Sequence, residues 1–410
     1  MPVLRTKRFL RVKLDMVGRC QLKCVMCHFA HPEFQQNPWV MGRELLEKVA
    51  AELFPRAHDV VLSSSAEPLL APDLPRALEL CREYEIPSFH FSTNGINLTP
   101  RIINKVIDVQ MPLITISCDA GSKDTFEEIR TPMKWKTMMR RFDSLKEIKK
   151  ERGSRYPEVS VTSVLMRKNI REMPDLVRLM KDKGVDGMNF VHMAVIGGLG
   201  NETESLINDP KLANDTLDEV REVAKEVGMN VMTPMPIPEN IGEQDDAIID
   251  AARSEDGGGV ALTGVADEEK PESSFSISEY LNHKNREFLL AVPEKEHHNR
   301  ACYFPWFYVH VNPDGSVFPC GCWFEFSTFG TFKTHSFEEI WTSEPYKELR
   351  RQLLTMELRD VCANCSVANM GRPDVKASFS HRAKIKREWR DKAAAQSAGG
   401  DQEVAAGELD

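Results

Sequence analysis

The chain has 410 residues, 41% of them hydrophobic, enough length and apolar content for a large core and for more than one domain. Its net charge of −9 and pI near 5.8 weigh against a general nucleic-acid binder, which would offer cations to phosphates. No apolar run reaches the ~18 to 20 residues that span a bilayer, and the basic segment Met1–Lys13 has no apolar signal core, so we expect a soluble cytoplasmic protein with no membrane or nucleic-acid partner.

From residue 8 to about 195, short apolar runs alternate with amphipathic stretches. Phe9–Met16, Val60–Ser64, Ser88–Thr93, Leu113–Asp119, Val159–Met166 and Met188–Met193 are β-branched or aromatic-rich and read as buried strands. Glu44–Leu53, Leu74–Tyr84, Thr99–Ile107, Lys136–Lys150 and Arg171–Lys183 carry apolar residues at helical spacing. Six such repeats predict an α/β fold with a parallel sheet and right-handed crossovers, either open or curled into a partial barrel. Asp209–Val227 reads as a further helix and Asn230–Thr233 as a short strand. Residues 235–300 are acidic and loop-rich, and Gly257–Gly259 and Asp267–Ser274 read as a flexible insertion. Aromatic density returns at Ala301, and the tail from about Lys392 is Ala-, Gly- and acid-rich, as in disordered termini.

Seven of the ten cysteines fall into two groups, 20/24/27 and 302/320/362/365; Cys81, Cys118 and Cys322 stand apart. In a reducing compartment such groups point to metal ligation rather than disulfides. Cys20, Cys24 and Cys27 follow the first predicted strand, at the end where α/β folds place their sites. Three thiolates at this spacing suit three irons of a [4Fe–4S] cube, leaving the fourth iron open to a small molecule; structural zinc and unrelated core thiols are the other readings. The next three strands end in Ser65-Ala66-Glu67-Pro68, Ser92-Thr93-Asn94-Gly95 and Ser117-Cys118-Asp119, the last followed by Ile129-Arg130.

In this order the four segments resemble the radical S-adenosylmethionine (radical SAM) superfamily. The resemblance implies a partial (βα)6 TIM-like barrel over residues 1–235. It also implies a cluster held by Cys20, Cys24 and Cys27 that reductively cleaves SAM to a 5′-deoxyadenosyl radical, which abstracts hydrogen from a substrate. Ser65, Ala66 and Glu67 would contact the SAM amino group, with Ser65 and Ala66 standing where the family has two glycines. Asn94 would lie near SAM, Ser117 and Asp119 would border its pocket, and Arg130 would pair with its carboxylate. Met26 takes the place of an aromatic that packs on adenine. His28 receives no role.

Asn312–Gly315 reads as a tight turn between two strands, which would bring Cys302 and Cys320 together; Cys362-Ala363-Asn364-Cys365 closes the set. Four thiols can hold a full cluster or one zinc. The Cys302-x2-Pro305-Trp306 opening, the Asp314-Gly315 turn before Pro319-Cys320, Glu339-Ile340-Trp341 and the final C-x2-C resemble SPASM and twitch domains. The resemblance implies an auxiliary [4Fe–4S] cluster on Cys302, Cys320, Cys362 and Cys365, with Cys322 as a possible substitute ligand and electron transfer as its role. We expect the small cysteine-rich α+β domain at 301–370, an acidic linker at 236–300, and a helix and tail at 371–410. The partners implied are an electron donor such as a flavodoxin or ferredoxin and a small-molecule or carbohydrate-type substrate. Nineteen residues precede Cys20, too few for a leader-binding domain, so a peptide substrate ranks second. The less favoured readings are a non-catalytic iron–sulfur or zinc scaffold and a tRNA-modifying enzyme.

Overall fold

Alternation in Leu10-Arg11-Val12-Lys13-Leu14 makes a strand with Leu10, Val12 and Leu14 fully buried, while Arg11 and Lys13 on the other face are half-buried. This is β1 (Leu10–Leu14) of a computed structural model that describes residues 8–30, 39–63, 66–193, 201–234, 236–237, 302–321, 328–355 and 362. The linker beyond Ile237, the tail, Ser65, Cys322 and Cys365 lie outside the described residues.

Six further strands follow in chain order: β2 (Ala57–Val61), β3 (Ser88–Thr93), β4 (Leu113–Ser117), β5 (Glu158–Leu165), β6 (Gly187–His192) and β7 (Asn230–Met232). Each pairs in parallel with its predecessor. The helices between them are α1 (Arg43–Leu53), α2 (Leu74–Glu83), α3 (Pro100–Asp108), α4 (Lys123–Ile129), α5 (Trp135–Glu151), α6 (Met173–Asp182) and α7 (Pro210–Val227). Right-handed crossovers taken always in one direction put every helix on one face of the sheet, as in a barrel. Helix ends follow local chemistry. Asp209 caps α7 through Leu212 N–H at 3.3 Å, and Gly228 ends it at φ 61°.

Two elements depart from the sequence reading. β2 starts three residues before Val60, because Ala57 is buried and Asp59 pairs with Arg11 of β1. α4 is a short helix that apolar periodicity does not announce. Glu172 accepts from the N–H groups of Gly121 and Ser122 at 2.9 and 3.0 Å, just ahead of its first turn, and from the Thr125 hydroxyl.

The C-terminal region contributes α8 (Phe304–Phe307), β8 (Tyr308–Val311), β9 (Val317–Phe318), α9 (Phe337–Trp341) and α10 (Glu344–Thr355). The expected hairpin is present, closed by Gly315 N–H on Asn312 O at 2.9 Å with Gly315 at φ 85°. It does not stand alone: β8 pairs in parallel with β1, so the sheet runs β7-β6-β5-β4-β3-β2-β1-β8-β9. An apolar β1 would otherwise present an open edge.

Opposite the helices the sheet is largely polar, with Val61 and Leu113 in the row of Lys13 and His90. Arg11, Lys13, His90, Ser92, Thr115, Ser117, Thr162 and Asn189 alternate with the buried apolar positions. Across the strands Ser92 stands beside Thr115 and Thr115 beside Ser160; Ser117 pairs with Thr162 and Thr162 with Asn189. A parallel strand packed on both faces would carry Val, Ile or Leu there.

Candidate active site

The loop after β1 carries Cys20, Cys24 and Cys27 and is pinned by backbone bonds to its neighbours. Gly18 N–H reaches Trp39 O, Glu67 N–H reaches Arg19 O, Lys23 N–H reaches Thr131 O and Val25 N–H reaches Ile129 O. Cys27 N–H closes a turn on Cys24 O at 2.9 Å. Cys24 is buried, and Cys20 and Cys27 are partly so. Burial pushes all three thiols above their ordinary range, Cys24 to about 12, and each lies in the electrostatic field of at least one of the others or of Arg130.

The sulfurs also receive N–H groups. Leu22 N–H donates to Cys20 Sγ at 3.5 Å and Asn94 Nδ2 at 3.6 Å, while Phe29 N–H reaches Cys27. Such donors stabilise thiolate charge and tune iron–sulfur sites. Among the described residues, no three His, Cys, Asp or Glu side chains are grouped tightly enough to hold a single metal ion. Three thiolates bound to three different irons of a cube need no such common point. Three thiols on one short loop, with N–H groups on Cys20 and Cys27, are a donor set that fits an iron–sulfur cluster.

Glu67 is 2% exposed, and its carboxylate organises the end of β3. It accepts from Thr93 Oγ1 at 2.6 Å, Leu69 N–H at 3.1 Å and Asn94 N–H at 2.7 Å. Burial raises its pKa against those bonds. Asn94 Oδ1 in turn accepts from Ile96 N–H at 3.0 Å, and Gly95 takes φ 81°, a backbone that glycine permits. Ala66 packs half-buried beside this segment, its carbonyl accepting from Ser63 Oγ at 3.0 Å.

Asp119 is fully buried and pairs with Arg130 Nε at 2.6 Å; its other oxygen accepts from Val164 N–H at 2.7 Å. Burial raises the Asp119 pKa, and the Arg130 cation opposes the rise. Burial works against the Arg130 charge, but Asp119, Cys24 and Cys118 around it hold the guanidinium protonated. The sequence reading placed Arg130 on a SAM carboxylate; in the structure its Nε is committed to Asp119. Ser117 ends β4, half-buried on the polar face. Met26 packs with Val25 and Val164 against Ile129, Met166 and Met193, a polarizable apolar wall beside the thiols.

Sequence reasoning gives three groups no role of their own. Thr93 holds Glu67. Asn201 donates to Val25 O in the cysteine loop at 3.0 Å, and Asn169 ties Asp119 O, at 2.6 Å, to the start of the loop after β5. The two asparagines sit in unremarkable sequence, and only their burial singles them out.

In the C-terminal region Cys302, Cys320 and Cys362 are half-buried against the main core. Cys320 lies in electrostatic reach of the Tyr346 hydroxyl, whose pKa is raised mainly by full burial. Around it Trp341 packs at a tilt against Phe337 and Tyr346, each at 5.2 Å, and Arg350 lies 4.4 Å over the Trp341 ring. Arg350 also donates to Pro305 O at 3.0 Å, tying α10 to α8.

Residues 15–180 match the profile of the radical SAM superfamily, and residues 302–366 match the SPASM iron–sulfur cluster-binding domain. The tungsten-containing aldehyde ferredoxin oxidoreductase cofactor-modifying protein of Pyrococcus furiosus is 27% identical over 183 residues, 43% of this chain and 49% of that protein. The GTP 3′,8-cyclase of Marinobacter nauticus is 26% identical over 234 residues, 55% of this chain and 66% of the cyclase. The chain thus spans about half to two thirds of the length of these relatives. Among solved structures, Streptococcus suis SuiB bound to S-adenosylmethionine aligns with TM-score 0.56 at 13% identity, over 84% of this chain and 68% of SuiB. Native anSMEcpe with bound AdoMet aligns with TM-score 0.56 at 16% identity, over 95% of this chain and 100% of that one. At these identities the structural likeness is one of fold.

Proposed function

Because the chain belongs to the radical SAM superfamily and carries a SPASM iron–sulfur domain, we propose that it is an enzyme that cleaves SAM reductively and abstracts hydrogen from a polar substrate. The observation that carries this reading is the three-thiol loop with N–H donors on Cys20 Sγ, set beside the Glu67–Thr93–Asn94 clamp at the ends of successive parallel strands. In this reading Cys20, Cys24 and Cys27 hold the SAM cluster, and Cys302, Cys320, Cys362 and Cys365 the auxiliary one. Bound there, the first cluster supplies the electron that splits SAM into methionine and a 5′-deoxyadenosyl radical, and the second a one-electron acceptor.

The chain's own residues do the positioning. Glu67 fixes the Asn94 turn so that the amide reaches the sulfur. Arg130, held by Asp119, keeps positive charge beside Cys24. Met26, Met166 and Met193 offer the adenine an apolar wall and exclude water from it.

For the substrate, the hydroxyl and amide rows of Ser92, Thr115, Ser117, Thr162 and Asn189 support a small, hydrogen-bonding molecule of carbohydrate type. A peptide substrate is the second reading, favoured by fold neighbours solved with precursor peptide SuiA and with the Cp18Cys peptide. A flavodoxin or ferredoxin as electron donor and a cytoplasmic setting complete the proposal; among the described residues no helix is long and apolar enough to cross a membrane.

The test is anaerobic reconstitution followed by iron counting and a 5′-deoxyadenosine assay under reduction. We expect about eight irons in the wild type, from two four-iron clusters. The Cys20/Cys24/Cys27→Ala variant should keep about four of them and form no 5′-deoxyadenosine. Wild-type protein with full iron and no SAM cleavage under several reductants would sink the reading.

A further inference from the structure

A buried polar pair joins the two cysteine-bearing regions. Asp15 is the first residue beyond β1 and stands five positions before Cys20; His310 lies on β8, ten positions before Cys320. His310 Nε2 meets Asp15 Oδ2 at 2.9 Å, and Asp15 N–H donates to Val311 O at 2.9 Å. The two residues are 4% and 5% exposed. The far nitrogen of the imidazole, Nδ1, is buried with no hydrogen-bond partner among the described residues, so Asp15 alone orients the ring through hydrogen bonding. The ring packs edge-on against Phe318 at 6.2 Å, and Phe318 is two residues before Cys320. Contacts therefore run from Asp15 through His310 to Phe318, two positions before Cys320.

The segment that Asp15 opens is otherwise held through its backbone. Its neighbours Met16 and Gly18 bond to residues 41 and 39, and Arg19 O accepts from Glu67. β8 has four residues and β9 two, and a hairpin that short needs outside support. Burying a carboxylate beside β1 is unfavourable unless something donates to it. One group that meets this need is His310, a residue 295 positions away along the chain.

We propose that His310 is a positioning residue for the SAM-cluster loop. Although it belongs to the C-terminal region, its hydrogen bond to Asp15 sets the entry of the loop that carries Cys20, and so the geometry at which SAM meets the cluster. The inference rests on the proposed assignment of Cys20, Cys24 and Cys27 to that cluster.

Two full-length variants test it. His310→Gln keeps an amide N–H for Asp15, and His310→Met has similar bulk and no donor. Each is reconstituted anaerobically and reduced with dithionite. EPR spectra are recorded with and without SAM, the SAM affinity is titrated from the spectral change, and iron content and Tm are measured alongside. We expect H310Q to keep the wild-type spectrum and affinity. H310M should retain its iron, show an altered SAM-bound spectrum, and bind SAM about tenfold more weakly, the scale of an outer-shell loss at a metal site. Wild-type SAM binding by H310M overturns the proposal, as does H310Q impaired equally with H310M. Loss of all iron with a collapsed Tm in H310M alone also overturns it, because the pair would then be a general support of the fold. A wild-type spectrum indifferent to SAM would instead bring down the function proposed above, and this role with it; the wild-type arm tells the two failures apart.

Discussion

Asn94 serves the site through both ends of one amide: Nδ2 donates to Cys20 Sγ at 3.6 Å while Oδ1 holds the turn through Ile96 N–H at 3.0 Å. Asn94→Ala removes a donor from a sulfur whose charge it stabilises. The SAM cluster of the variant should therefore show a more negative midpoint potential by redox titration, with a stability loss of about 1 kcal/mol. An unchanged potential would mean that the loaded site does without this bond. Cys24 makes a prediction about the metal-free protein. Its buried thiol is pushed up to about 12 from the ordinary 9.0, so the fold holds the neutral form where the unfolded chain ionises. This contribution to stability is complete below pH 9 and is lost as pH rises from 9 through 12. Thermal melts of iron-free wild type should fall more steeply over that interval than those of iron-free Cys24→Ala. Parallel curves would show that the thiol is not held neutral.

Secondary-structure elements are tied to one another by buried charge as well as by apolar contact. Asp59 of β2 is fully buried, pairs with Arg11 of β1 at 3.0 Å and lies 3.8 Å from His90 of β3. Burial lowers the His90 pKa, and the Asp59 carboxylate only partly offsets it. Arg11→Met strands the carboxylate and should destabilise the protein by roughly 3–5 kcal/mol in urea unfolding, whereas the double change Arg11→Met with Asp59→Asn should recover most of that loss. If the single and double variants are equally weak, the pair is not what holds these three strands in register.

Across the whole molecule, one sheet serves both cysteine regions. β8 sits beside β1, so the strand that delivers Cys20 and the strand that leads toward Cys320 are hydrogen-bonded neighbours. The helices that connect β1 to β7 fall on one face by their right-handed crossovers, which leaves the polar face of β1 to β6 free of those helices, on the side opposite them. The sequence reading treated residues 301–370 as a small separate domain. The pairing of β8 with β1 joins the start of that region to the barrel's own sheet. Charge balance at the site is local: Arg130 answers Asp119 and the thiols, whatever the net −9 of the chain.

Local signals were enough to read six of the strands, the alternating helices, both cysteine groups and the strand-end positions of Glu67, Asn94, Ser117 and Asp119. Periodicity, cysteine spacing and turn residues are written within a few positions of one another, so neighbouring residues suffice to recognise them. Tertiary structure decided what depends on partners far along the chain. It assigned Arg130 Nε to Asp119, turned Glu67 into the clamp of the Asn94 turn, raised α4 on the carboxylate of Glu172, and set His310 against Asp15. The reason is physical. A buried polar group must find a complement wherever the fold brings one within about 3 Å, and no pattern of neighbouring residues records which one that will be.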